Sequence, residues 1–122
     1  MSEDTSNWQP LGDVVARITE LVQPTVWFTH DDELMCPACH GTNLHHNRVI
    51  VFSRVEDEAQ ILRTEVYSGR GAVLVKRDEG IDNPSNRRDG IAIGFYCEDC
   101  PATPELTIKQ HKGVTFIQWR GR

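Results

Sequence analysis

The chain of 122 residues lacks most features that announce a function by themselves. No apolar run approaches the roughly 20 residues that cross a bilayer, so no membrane span is expected. Met1-Ser2-Glu3-Asp4 opens the chain without an apolar signal segment, which points to the cytoplasm. There is no Gly-rich phosphate loop, no nucleophile elbow and no His-Glu-x-x-His. The acidic pairs all fall in stretches that read as solvated turns, so an enzyme is not expected. No internal repeat or low-complexity tract is visible. At 39% the hydrophobic fraction is low, which suits one small β-rich domain with a modest core that leans on a further constraint.

Positive charge is nearly missing from the first third. Residues 1–40 carry seven acids against Arg17 alone, whereas residues 41–122 carry eleven acids and twelve bases. The net charge of −5 therefore describes neither part. It argues against wholesale coating of nucleic acid and leaves room for a local basic patch in the second part.

Cysteine is scarce too, and its placement is the strongest signal present. The only four form Cys36-Pro37-Ala38-Cys39 and Cys97-Glu98-Asp99-Cys100. A Cys-x-x-Cys turn sets two thiolates on one side of a tight loop, and two such loops supply the four sulfurs of a closed tetrahedral site. Zinc is the expected ion, one per chain and structural, because it is redox-silent and suits soft thiolates. Iron held as in rubredoxin uses the same ligands and stays open. Pro37 stiffens the first turn, and Gly41 lies where the chain must bend so that amides can face sulfur. The alternatives are two disulfides, a redox pair, or four buried thiols. Disulfides need an oxidising compartment, and a redox pair belongs at a helix start in a βαβ setting. Between Cys39 and Cys97 lie 57 residues, where compact zinc sites of this spacing have roughly 15–20. The interval must be a folded piece whose ends return to the metal, and closing so long a loop removes much entropy from the unfolded chain.

Taken in order, residues 1–10 read as a flexible N-terminus, 11–35 as a helix and linker, and 36–122 as the metal-bearing β domain. Leu11, Val14, Val15, Ile18, Leu21 and Val22 follow helical spacing, with Asp13, Arg17 and Glu20 facing away and Pro24 stopping the helix. At about three turns it cannot stand alone in water. It must dock on its own sheet, the favoured reading, or on a partner. Residues 25–35 read as a linker or short strand with a solvated acidic tip, Asp31-Asp32-Glu33. Strands are expected over Arg48–Val55, Ile61–Tyr67, Ala72–Lys76, Ile91–Tyr96, Leu106–Gln110 and Val114–Trp119. The last two flank the hairpin turn His111-Lys112-Gly113. The expected fold class is α+β, mostly antiparallel β.

The two cysteine pairs resemble the zinc-ribbon class, here with an enlarged β insertion between the knuckles. More closely, residues 36–120 resemble a group of small bacterial proteins, common in actinobacteria, and of bacteriophage proteins. The stretches that carry this are Cys36–Cys39 with Leu44-His45, Asn83–Gly90, Phe95-Tyr96-Cys97-Glu98 with Cys100, and Glu105-Leu106 through Ile108 and Gln110–Gly113 to Trp119. The resemblance covers about two-thirds of the chain. It supports a metal site and domain limits, and it implies no activity.

Beyond the metal, Asn83–Gly90 is a long turn-rich loop holding Arg87-Arg88. The paired guanidiniums could meet phosphate or a partner's carboxylates. Equally, the loop is structural, with Asn83 and Asp89 capping backbone groups and one arginine lying on an aromatic. Lys109, His111, Lys112, Arg120 and Arg122 make the C-terminal hairpin basic. The candidate contact surface is therefore Arg87, Arg88, His111 and Lys112, with Trp119 or Tyr96 as stacking surfaces if the ligand is nucleic acid. Trp119 alternates in phase with Ile117, which argues for core instead. His40, His45 and His46 read as surface or supporting groups, since four cysteines leave no open coordination position; a Cys3His set using His40 is the minor alternative. The expected function is a non-catalytic binding or adaptor protein with a protein partner. A small nucleic-acid-binding protein is the alternative, and a metalloenzyme a distant third.

Overall fold

The computed structural model describes residues 25–55, 58–69 and 72–121. The expected helix over 11–22 and the flexible N-terminus lie outside the described residues. Runs rich in Val, Ile, Thr and aromatic residues, broken by Gly, Asn and Pro, form six strands. They are β1 (Leu44–Ser53), β2 (Ile61–Tyr67), β3 (Ala72–Asp78), β4 (Gly90–Cys97), β5 (Glu105–His111) and β6 (Val114–Arg120). All six lie in one sheet, ordered β3-β2-β1-β4-β5-β6, and every pairing is antiparallel. Among the described residues there is no helix and no second sheet. No described helix is long and apolar enough to cross a membrane.

The topology accounts for the long interval between the cysteine pairs. β1 leaves the first pair, β2 and β3 continue outward, and residues 79–89 carry the chain back. β4 then returns antiparallel along the whole of β1, from Phe52↔Gly90 to Leu44↔Cys97. The interval is a three-stranded meander plus its return strand, and its two ends meet by sheet pairing. β1 starts four residues before the expected Arg48, and a bulge between His46 and Arg48 keeps its pairing with β4.

Alternation divides the sheet into two unlike faces. On one, Ile50, Phe52, Ile61 and Ala92 form a small fully buried cluster. Residues 79–89 lie across this face: Gly80 sits over Ile61, and a Cβ at Gly90 would stand 2.3 Å from Asn83 Oδ1 and 2.8 Å from Pro84 Cγ. The loop is pinned by Asn83 Oδ1, which accepts from Ser85 N, and by Asn83 Nδ2, which donates to the Arg88 carbonyl. The opposite face carries Val66, Val49, Ile93 and Leu106 in register across four strands.

The β5–β6 hairpin closes through Lys112 and Gly113, both at positive φ, with His111 opposite Val114. That is the two-residue turn whose twist matches the strands. Residues 25–35 form a tight hairpin with a single bridge, Phe28↔Leu34. Thr29 Oγ1 accepts from the amides of Asp31 and Glu33, and the acidic tip is exposed. Trp119 is buried against Phe95, but Ile117 is half-exposed, so the shared phase does not mean shared burial. Ile117 lies on the edge strand, where only one neighbour shields it.

Candidate metal centre

Cys36 and Cys39 sit in the turn that precedes β1; Cys97 ends β4 and Cys100 follows it. The register pair Leu44↔Cys97 sets the two turns against each other. All four sulfurs lie within 4.8 Å of one another. Cys36 Sγ is 3.8 Å from Cys100 Sγ, and Cys39 Sγ is 3.6 Å from Cys97 Sγ. A disulfide needs about 2.05 Å, and all four cysteines are free thiols. A tetrahedron with metal–thiolate bonds of ~2.3 Å has edges of about 3.8 Å. The four cysteines could therefore hold one metal ion with little rearrangement.

The turns are near copies of one another. In each, the amide two residues after a cysteine faces its sulfur: Ala38 N to Cys36, Gly41 N to Cys39 and Asp99 N to Cys97, each at 3.4 Å. The Ala102 amide does the same for Cys100. In each, the first cysteine's amide also donates to the carbonyl five residues on, Cys36 to Gly41 at 2.8 Å and Cys97 to Ala102 at 3.3 Å. Amides aimed at all four sulfurs stabilise thiolates over thiols.

The bend of the first turn differs from the sequence expectation. His40, not Gly41, takes the left-handed conformation, at φ 67°. Gly41 is needed for space, because a Cβ there would lie 2.6 Å from Asp99 Oδ2 and 3.3 Å from Cys39 Sγ. The second turn has Pro101 at the position of His40. The His40 ring stands edge-on to Trp27 at 5.5 Å, and burial lowers its pKa. Asn43 fastens the two turns together: its carbonyl accepts from Glu98 N at 3.0 Å and its Nδ2 donates to Asp99 Oδ2 at 3.1 Å. His45 stacks on Tyr96 and pairs with Glu98 on the surface.

Without a cation the site is electrostatically uncomfortable. Burial pushes the Cys36 thiol far up and Cys100 up to about 11, so both hold their protons at neutral pH. Burial raises Cys97 as well, but the Asp99 amide and the neighbouring thiols outweigh it and bring that thiol below its ordinary value. Four thiolates within 4.8 Å would repel one another, and a divalent cation removes that conflict. Ala38, Ala102 and Leu44 pack around the sulfurs and keep the surroundings dry.

The candidate contact residues lie at the other end of the sheet. Ser85 Oγ donates to the Gln110 carbonyl at 2.8 Å, and Gln110 N donates to the Asp89 carbonyl at 3.3 Å. These bonds set the loop holding Arg87 and Arg88 beside the end of β5, next to His111 and Lys112. Ser85 Oγ also accepts from the amides of Arg87 and Arg88. Asp89 Oδ1 accepts from Arg54 N at 2.8 Å, and Arg54 Nη1 reaches the Asn86 carbonyl at 2.6 Å. Asn83 and Asp89 thus hold backbone groups. Elsewhere in the sheet Arg63 lies on an aromatic, 5.1 Å from the centre of the Phe52 ring.

One constellation was not legible as a site. Arg48, Arg63 and Arg120 meet Glu65, Asp82 and Glu105 on the loop-covered face. Arg63 donates to Glu65 at 2.5 Å and to Asp82 at 2.6 Å, while Arg48 and Arg120 reach Glu105 at 3.0 and 2.5 Å. Arg120 Nη2 also donates to the Asp82 carbonyl at 2.7 Å, and Tyr67 donates to Glu65. Glu105 is only 1% exposed. Burial opposes ionisation of Glu65, but the bonds from Tyr67 and Arg63 outweigh it and lower its pKa; the bond to Asp82 raises that of Arg63. The alternation Arg63, Glu65, Tyr67 along β2 was the available signal, since strand periodicity places all three on one face. Arg48, Tyr67 and Glu105 also border an open cleft of about 480 Å³.

No family model, curated protein or solved structure matches the chain.

Proposed function

We propose that the chain is a non-catalytic binding or adaptor protein of the zinc-ribbon type, with one structural zinc ion held by Cys36, Cys39, Cys97 and Cys100. The observation that carries this reading is the closed donor set. Four sulfurs within 4.8 Å of one another, two of the pairs at 3.8 and 3.6 Å and each facing an amide, would leave no coordination position for water or substrate. Zinc is favoured over iron because it is redox-silent and suits a closed set of soft thiolates. The metal then belongs to the scaffold, and contact with a partner falls to the far end. There Arg87, Arg88 and Lys112 offer positive charge, and His111 a hydrogen-bonding ring, to an acidic protein surface. We place the protein in the cytoplasm because its cysteine spacing suits a metal site rather than disulfides.

X-ray absorption at the metal edge tests the closed site: four sulfur neighbours and no oxygen or nitrogen are expected. An oxygen neighbour would reopen the metalloenzyme reading. A second reading, nucleic-acid binding, draws on Lys109 Nζ lying 5.7 Å from the Phe116 ring beside the arginine loop. The burial of Trp119 removes one of its stacking surfaces. Retention on DNA or RNA that falls steeply with salt would favour that reading, and retention on a protein partner with a shallow salt response the adaptor.

A further inference from the structure

Successive residues of a strand point to opposite faces of the sheet, and at one place in β1 that rule is broken. The bulge between His46 and Arg48 leaves Asn47 as an extra residue opposite β4. Arg48 is paired with Gly94, and directly paired residues share a face. A Cβ at Gly94 would stand 3.4 Å from Asn47 Oδ1 and 3.6 Å from Arg48 Nε. Asn47 and Arg48, neighbours in the chain, therefore both reach over Gly94 on the same side of the sheet. Bulges that re-aim a side chain in this way are over-represented next to active sites. A glycine inside a strand leaves room for something to approach the backbone closely.

The room they border is the open cleft of about 480 Å³, which Tyr67, Ser68 and Glu105 also line. No residue of the covering loop lines it, and its volume is that of a small-molecule site. Its polar groups are mostly donors with capacity to spare. Arg48 spends Nη2 on Glu105 and lies beside the Tyr67 hydroxyl, which leaves further N–H groups on a side chain still 30% exposed. Neither the Asn47 amide nor the Ser68 hydroxyl has a hydrogen-bond partner among the described residues. Glu105, the carboxylate on the lining, is already held by Arg48 and Arg120. Two guanidiniums against one carboxylate leave a single positive charge, the complement of a monoanion. We infer that this cleft binds a small organic carboxylate, its oxygens taken by Arg48, Asn47 and Ser68 and its body lying against Tyr67. A phosphate dianion fits less well, because its second negative charge would fall beside Glu105.

The test titrates the full, metal-loaded chain with benzoate, benzamide and phenyl phosphate and follows the amide nuclear magnetic resonance shifts. Benzoate should give saturable shifts at Asn47, Arg48, Ser68 and Gly94. Benzamide, which has the same shape and no charge, should bind at least about tenfold more weakly, and phenyl phosphate more weakly than benzoate. No benzoate shifts at these amides, an equal response to benzamide, or tighter binding of phenyl phosphate overturns the inference. Two variants that spare the fold supply the second arm. Asn47→Ala removes an amide that bonds nothing among the described residues, and Gly94→Ala sets a methyl group on the cleft floor at ordinary contact distance from its neighbours. Each should keep the urea midpoint of the parent and weaken benzoate binding about tenfold. Benzoate binding left intact by either variant contradicts the inference.

Discussion

The metal end and the charged face of the sheet each gather groups that are far apart in the chain, and they do so on opposite electrostatic terms. At the metal end four like ligands converge, and burial drives Cys36 and Cys100 toward the neutral thiol. A cation from outside would let all four ionise together. On the charged face, three arginines meet three carboxylates and the set neutralises itself. The first assembly would draw its counter-charge from solution, while the second supplies its own. Buried ion pairs of the second kind add little net stability over apolar packing, yet breaking one is costly.

That contrast orders the expected effects. The largest follows loss of a ligand: Cys36→Ser or Cys97→Ser should unfold the domain. Structural zinc sites contribute about 10–16 kcal/mol, which matches or exceeds the ~5–15 kcal/mol total stability of an ordinary domain. Circular dichroism of the variants reads this directly, and a folded Cys97→Ser protein would show that the metal is dispensable. Next comes Glu105→Ala, which removes the carboxylate shared by Arg48 and Arg120 and should cost about 3–5 kcal/mol in urea denaturation while leaving metal content at one per chain. A loss below 1 kcal/mol would mean the network is slack.

A smaller effect is steric. Gly90→Ala sets a methyl group against Asn83 and Pro84, and should lift the covering loop at a cost of about 1–3 kcal/mol. Faster amide exchange confined to residues 79–89 and the neighbouring end of β5 is the expected signature. The network also sets a pH dependence. Glu65 titrates below its ordinary 4.5 in the folded protein, so its stabilisation is complete above that pH and fades as pH falls through the lower folded value. Glu65→Gln should therefore flatten the acid limb of the stability curve, compared between samples of equal metal content. The smallest effect belongs to Arg87→Ala with Arg88→Ala, expected to leave stability within about 0.5 kcal/mol and to weaken partner binding. Unfolding by that pair would make the loop purely structural.

How far each region could be foreseen follows from how it is encoded. The cysteine site is written in local spacing, since a Cys-x-x-Cys turn is a geometric object on its own, and two of them need only be brought together. The six strands and their antiparallel pairing were likewise legible from β-branched runs and short turns, but not their order in the sheet. The charged face is not local. Arg48, Glu105 and Arg120 meet because β1, β4, β5 and β6 pair in one particular register, and no spacing within a strand announces that. Charged residues in strands are ordinarily read as solvent-facing, and the loop that turns this face inward crosses it only in three dimensions. His40 makes the same point on a smaller scale. The composition of the turn pointed to Gly41 as the bending residue, whereas Gly41 is required by the approach of Asp99 from the other turn, 58 positions further along.

Native mass spectrometry with and without a chelator, paired with circular dichroism of the same samples, decides whether a metal ion is a condition of this fold. One zinc per chain and loss of the β signal when the metal is stripped is the expected result. A metal-free protein that keeps its β signal would contradict it and return the four cysteines to redox chemistry.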